Sequence, residues 1–163
     1  MKTRRTASFA LALVLFASVT GMAACAKPLQ TKAPAAGQVA ASAAHTQLGR
    51  PYVNGGSSPA SGFDCSGLTY WAWQQAHVAL PRTAAAQYAW TTRIHQADLQ
   101  PGDLVFYSSA GPTGAVSHVA IYAGRGYIIQ AHHYGVPLSE DVMVGWWAGH
   151  LVGFGRIPAS AIP

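Results

Sequence analysis

At 163 residues with a formal net charge of +5, the chain has room for one domain and little more. Its charge is not gathered as a nucleic-acid surface requires: Lys2, Arg4 and Arg5 open the chain, Lys27 and Lys32 follow in a polar stretch, and Arg50, Arg82, Arg93, Arg125 and Arg156 balance Asp64, Asp98, Asp103, Glu140 and Asp141. Scattered arginines in an otherwise neutral region make no basic patch, which excludes nucleic-acid binding as a function class.

The first element is a processing signal. Behind the basic opening, FALALVLFASVT runs apolar from Phe9 to Thr20. It is shorter than the roughly 20 apolar residues that span a bilayer, and it suits the hydrophobic centre of an export leader. GMAAC at 21–25 has the form of a bacterial lipobox, with Met22 a weaker choice than Leu at its position, and would leave Cys25 lipidated as the first mature residue. The alternative is cleavage after Ala26 and plain secretion. Both readings export the protein; the lipobox reading keeps it at the periplasm or cell envelope, touching the membrane only through a lipid anchor at Cys25, and the alternative secretes it. Residues 26–40 read as a flexible tether of Ala, Gly, Pro, Gln and Thr. The end of that region, VAASAAHTQLG, already has helical character. A compact domain is expected over 41–160, with no internal repeat.

Inside the domain, NGGSSPASG (54–62) is a loop leading into Cys65. Leu68, Trp71, Ala72, Gln75 and Ala76 then recur at helical spacing, and Pro81 closes that unit. Thr83 caps a second short helix, AAAQYAW. LQPGDLVFY sets a Pro-Gly turn before a strand at 103–107. SHVAIYA (117–123) and YIIQAHH (127–133) flank Gly124-Arg125-Gly126 and read as a hairpin. LVGFGRI (151–157) is a closing strand. Helices first and an antiparallel sheet after them make the fold class α+β.

Cys65 is the residue to explain. Cys25 is either lipidated or removed, so Cys65 has no disulfide partner within the chain and is either an intermolecular or a free thiol. Lone cysteines are more often inert core residues. Here a Gly-rich lead-in puts the thiol near a helix N-terminus, where the dipole and free N–H groups favour an anion. His118, on a predicted strand, is a candidate base. A third polar group should orient its ring from the same sheet face. A two-residue turn would pair 118 with 131 and turn Gln130 away; a three-residue loop, 124–126, pairs 118 with 132 and sets Gln130 diagonally beside His118. Gln130 is therefore the first choice as orienter and His132 its rival. The remaining histidines, at 45, 77, 95, 133 and 150, read as solvated or structural, and their spacing suggests no metal site. Trp71, Trp73 and Trp90 read as packing, and Trp146-Trp147 as core or rim.

An ordered series of blocks carries a resemblance: LGRPYVNGG (48–56), GFDCSGL (62–68), LPRT (80–83), LQPGDLVFY (99–107) and SHVAIYAGRGYIIQA (117–131). The chain resembles the NlpC-type papain-like cell-wall peptidases, the NlpC / p-sixty family, over nearly the whole domain. The resemblance implies a papain-like fold, with helices packed on a small antiparallel sheet or half-barrel. It also implies a cysteine peptidase that cuts peptidoglycan stem peptides through an acyl-enzyme, without cofactor or metal; the expected state is a monomer. Matched residue by residue, Cys65 is the nucleophile, His118 the base and acid, and Gln130 the third polar residue, where His is the family's commoner choice. Tyr52 lines the active site; Asp64 and Ser66, and more weakly Ser117, are implied in substrate binding; Asp103 looks structural. The implied scissile bond is the D-γ-glutamyl–diamino-acid bond or a D-Ala cross-link. An amidase that frees stems from glycan, or a non-catalytic wall-binding lipoprotein, stands as the alternative.

Overall fold

The computed structural model describes residues 32–163. The expected leader, Cys25 and the first part of the tether lie outside the described residues.

Helix α1 (Lys32–His45) is rich in Ala, the best helix former, and turns Ala40, Ala41 and Ala44 into the core. The helix therefore begins well inside the 26–40 stretch expected as tether. Small residues let it lie close to its neighbours: a Cβ on Gly37 would stand 2.4 Å from the Pro101 carbonyl oxygen. After α1 the chain makes a two-residue ladder, β1 (Ser57–Ser58) with β2 (Gly62–Phe63), within the expected Gly-rich loop. Helix α2 (Cys65–Gln74) follows at once, with Asp64 as its cap. Its inward residues are Leu68, Thr69, Ala72 and Trp73, and the Trp73 indole N–H donates to the Gly102 carbonyl at 3.1 Å. Helix α3 (Ala84–Trp90) starts on the Thr83 cap as read from the sequence.

The remaining chain builds one antiparallel six-stranded sheet from β3 (Thr92–Ile94), β4 (Leu104–Tyr107), β5 (His118–Gly124), β6 (Tyr127–Gln130), β7 (Ser139–Val142) and β8 (Leu151–Arg156), in the order β3-β8-β4-β5-β6-β7. A short helix, α4 (Trp146–Gly149), links β7 to β8. Alternation sorts the strands by face. Leu104, Phe106, Val119, Ile121 and Ile129 join the core with α1 and α2. Val105, Tyr107, Ala120, Ile128 and Phe154 form a second cluster behind the sheet, covered by Leu99, Met143, Trp147 and Leu151. The result is α+β, as expected. Asp103, at the turn before β4, takes a two-pronged ion pair from Arg156 at 2.9 and 2.7 Å and so ties that turn to the last strand.

The hairpin departs from the expected three-residue loop. Its turn holds two residues, Arg125 and Gly126, both with positive φ, and the register shifts between Tyr122 and Gly124. This irregularity at Ala123 supplies the odd residue that the loop was expected to supply. Ile121 still pairs with Ile129 and Tyr122 with Ile128, so the parity required for Gln130 to share the His118 face is kept.

If the docked helix α1 is integral to the fold, Gly37→Ala should destabilise it by about 1–3 kcal/mol through overpacking against Pro101. A lowered thermal midpoint is expected; an unchanged one would mean that residues 32–40 are tether after all.

Candidate active site

Asp64 organises the Cys65 end of the site. Its carboxylate accepts from the Gly67 N–H at 2.7 Å and the Gly55 N–H at 2.9 Å, and both Arg82 guanidinium nitrogens donate to it, at 2.9 and 2.7 Å. Ser66 Oγ joins the group, donating to Asp64 and accepting from Arg82. Burial alone would raise the Asp64 carboxyl, but Arg82 and the two N–H groups hold it below the usual carboxylate range. The carboxylate is thus a cap and an anchor, bracing Cys65 against the loop before it. Arg82 has no part in the sequence reading beyond the LPRT block. Nothing periodic in the sequence marks Arg82; it sits in the segment between α2 and α3, and only the fold brings it to Asp64.

Cys65 is half-buried at the first position of α2. Burial, joined by the nearby Asp64 charge, pushes the Cys65 thiol upward overall, against the backbone N–H groups of Val119 and Ser66, which favour its anion. Val119 is adjacent to His118 in the chain, so the sulfur meets the very start of β5. Tyr52, held by a bridge to Phe63, stands near enough for the Cys65 charge to act on its phenol. An open cleft of about 310 Å³ is lined by Tyr52, Asn54, Asp64, Cys65, Ser66 and Ser117, among others. Ser117 uses its Oγ to accept from the Ser109 N–H at 3.0 Å. Tyr52, Asp64, Ser66 and Ser117 are therefore brought together around Cys65.

The histidine end lies at the rim of the sheet. His118 Nε2 and Gln130 Oε1 are 2.8 Å apart, the contact expected from strand parity. His132, the rival orienter, meets the His118 ring edge-on with centroids 5.7 Å apart. Trp147 lies nearly parallel to the His118 ring, with centroids 5.5 Å apart and planes at 26°, and Tyr107 approaches from β4. Sequence reading assigned Trp147 to packing; its place over His118 rests on α4, which no periodicity announced. Burial pushes the His118 imidazolium down to about 4, against the Gln130 hydrogen bond, which pulls it up; the neighbouring His132 charge lowers it further. Both members of the Cys65–His118 pair are accordingly biased to their neutral forms. Among the described residues, no group of three or more His, Cys, Asp or Glu is placed to hold a metal ion.

Two measurements follow from this burial. Folded His118 stays neutral down to about pH 4, whereas the unfolded chain takes up that proton near 6.5. The unfolded state therefore binds the extra proton between those values, and stability should be lost as pH falls through that window. Thermal melts at pH 7 and 4.5 should show a smaller acid loss for His118→Gln than for the wild type. Trp147→Ala, which opens the ring to water, should raise the His118 pKa toward 6.5 in an NMR titration; no movement would mean that the indole does not dry the ring.

Comparison with known proteins identifies the family. The family model described as the NlpC/P60 family matches residues 49–156. The bifunctional muramidase/DL-endopeptidase CwlT of Bacillus subtilis is 44% identical over 109 residues, covering 67% of this chain and 33% of that protein. The gamma-DL-glutamyl hydrolase of the same organism is 39% identical over 121 residues, covering 74% of this chain and 29% of that protein. Among solved structures, the peptidoglycan hydrolase RipB of Mycobacterium tuberculosis superposes with a TM-score of 0.66 at 28% identity, covering 78% of this chain and 67% of that one. The chain spans about a third or less of the length of these curated relatives. With the family model covering most of the chain and the fold matching solved members, this protein belongs to the NlpC/P60 family.

Proposed function

We propose that the domain is a cysteine endopeptidase that hydrolyses peptidoglycan stem peptides. One observation carries the reading: Cys65, at the first position of α2, lines one cleft with Ser117, the chain neighbour of a histidine whose Nε2 lies 2.8 Å from an amide oxygen. That is a nucleophile, a base and an orienter in one rim of the fold. The D-γ-glutamyl–diamino-acid bond is the preferred target over a D-Ala cross-link. The printed names of two relatives, a DL-endopeptidase and a gamma-DL-glutamyl hydrolase, support that choice.

The chemistry starts from the neutral pair. With the proton on Nε2 facing Gln130, His118 Nδ1 carries the lone pair and removes the Cys65 thiol proton as the sulfur attacks the peptide carbonyl. The Cys65 N–H, which opens α2, receives the developing oxyanion together with the Tyr52 hydroxyl. His118 then gives its proton to the leaving amine, and a thioester remains on Cys65. Water, activated by the same imidazole, cleaves the thioester and restores the thiol. Asp64 and Ser66 shape the cleft wall, and the Asp64–Arg82 pair offers polar contacts to the substrate's amino end or backbone.

The protein is proposed to work outside the cytoplasm at the cell envelope, monomeric, and held to the membrane by lipid on Cys25. A similar solved structure from Staphylococcus aureus, 36% identical with a TM-score of 0.65 and covering 76% of this chain and 41% of that one, is described as similar to a lipoprotein, which supports the anchor.

Digestion of purified sacculi, with mass analysis of the products, tests the reading. Wild type should release fragments cut within the stem, and Cys65→Ala should release none. Fragments with free sugar termini and intact stems would make the domain an amidase; no digestion by the wild type would leave a wall-binding role. Gln130→Ala should retain more activity than His118→Ala, because it removes orientation and leaves the base. If His132→Ala abolishes digestion while Gln130→Ala does not, the orienter is His132.

A further inference from the structure

A glutamine is an ambiguous orienter. Its amide presents an oxygen or an NH2 group in nearly the same shape. With the oxygen toward His118 Nε2, the imidazole must carry its proton there and keep Nδ1 free as the basic nitrogen. With the NH2 group toward Nε2, the proton moves to Nδ1 and the base is lost. Something must select the first arrangement.

Asp141 is placed to do so. Gln130 Nε2 donates to Asp141 Oδ2 at 2.7 Å, and Ser139 Oγ donates to the same oxygen at 2.7 Å. A carboxylate only accepts, so it admits the NH2 end of the amide and rejects the oxygen. Gln130 is 1% exposed, so a flipped amide would have no water to receive it. The register delivers this arrangement: Gln130 pairs with Ser139 and Ile128 with Asp141, so Ser139, Asp141 and Gln130 share the His118 face. The other titratable groups near this carboxylate are Tyr107 on β4, on which the Asp141 charge acts, and His132 after β6.

We infer that Asp141 is a positioning residue: through Gln130 it fixes the proton of neutral His118 on Nε2 and leaves Nδ1 basic. Together, Asp141 and Gln130 do what a single carboxylate does elsewhere, with the charge one side chain further from the ring. The inference rests on the reading of Cys65 and His118 as nucleophile and base. It is absent from the five blocks that carry the family resemblance, since Asp141 lies beyond the last of them.

The ring nitrogens of His118, assigned against His118→Ala, report the tautomer by NMR. Alkylation of Cys65 by iodoacetamide at pH 7 reports the base without any wall substrate. Wild type should show the Nε2–H form alone. Asp141→Ala should show mixed tautomers and alkylate about tenfold more slowly. Asp141→Asn keeps the shape but can turn an NH2 group toward Gln130, so it loses the accept-only selection and should show mixed tautomers and a slowed rate. In a Gln130→Ala background, Asp141→Ala should add nothing. The inference is overturned if Asp141→Ala keeps a pure Nε2–H form and the wild-type rate. It is equally overturned if Asp141→Asn keeps a pure Nε2–H form and the wild-type rate, or if the Asp141→Ala effect persists without Gln130. A protein that leaves sacculi intact yet shows the Asp141-dependent tautomer would sink the endopeptidase reading and keep this one.

Discussion

The site depends first on the Asp64 carboxylate. One buried charge caps α2, holds the Gly-rich loop through Gly55 and draws in Arg82 from the segment before α3. Three stretches distant in sequence are thus pinned within a few residues of Cys65. A carboxylate in that position must be paired or it would be costly to bury. Arg82 supplies the pairing while its partly exposed side chain stays in reach of solvent. Close packing completes the joint: a Cβ on Gly67 would lie 2.0 Å from the Gly56 carbonyl oxygen. The proposed nucleophile is held by backbone and charge together, and its position does not rely on its own side-chain contacts.

The second constraint is parity. Side chains alternate strictly along a strand, so a polar row crossing the sheet survives only if every register is right. Tyr107 opposite His118, and Gln130 opposite Ser139, are two such registers. Between them the β5–β6 hairpin must carry an odd number of residues, and it does so by a bulge at Ala123 beside a two-residue turn. Positive φ at Gly124, Arg125 and Gly126 makes this tight reversal possible, and the flanking glycines adopt it without steric cost.

Much of this was legible in the sequence, for identifiable reasons. α2 and α3 carry a helical repeat or a Thr cap, and β4, β5 and β8 are apolar runs with clear stops. The pairing of Gln130 with His118 followed from parity alone, even though the device that provides it was read as a longer loop. Other parts, among them the first half of α1 and all of β7, stayed hidden because their sequences argue locally for something else. In α1, Ala with Gly and Pro resembles a linker; its helix owes its place to packing against the Pro101-Gly102 turn. In β7, Ser-Glu-Asp-Val has no apolar face, because the inward positions, Ser139 and Asp141, serve a hydrogen-bond network. Charged residues that act on one another across the fold, as Arg82 and Asp64 do, leave no periodic trace.

A dry imidazole has a consequence for where such a domain can operate. Anionic polymers and lipid headgroups concentrate protons within a Debye length of their surface, so the local medium there is more acidic than the bulk. An ordinary imidazole would be titrated by that layer before the surrounding solution reached the same acidity. His118, packed beneath Trp147 with its proton affinity lowered, remains uncharged in both media. The same packing that lowers stability in acid thus frees the ring's protonation state from its distance to a charged surface.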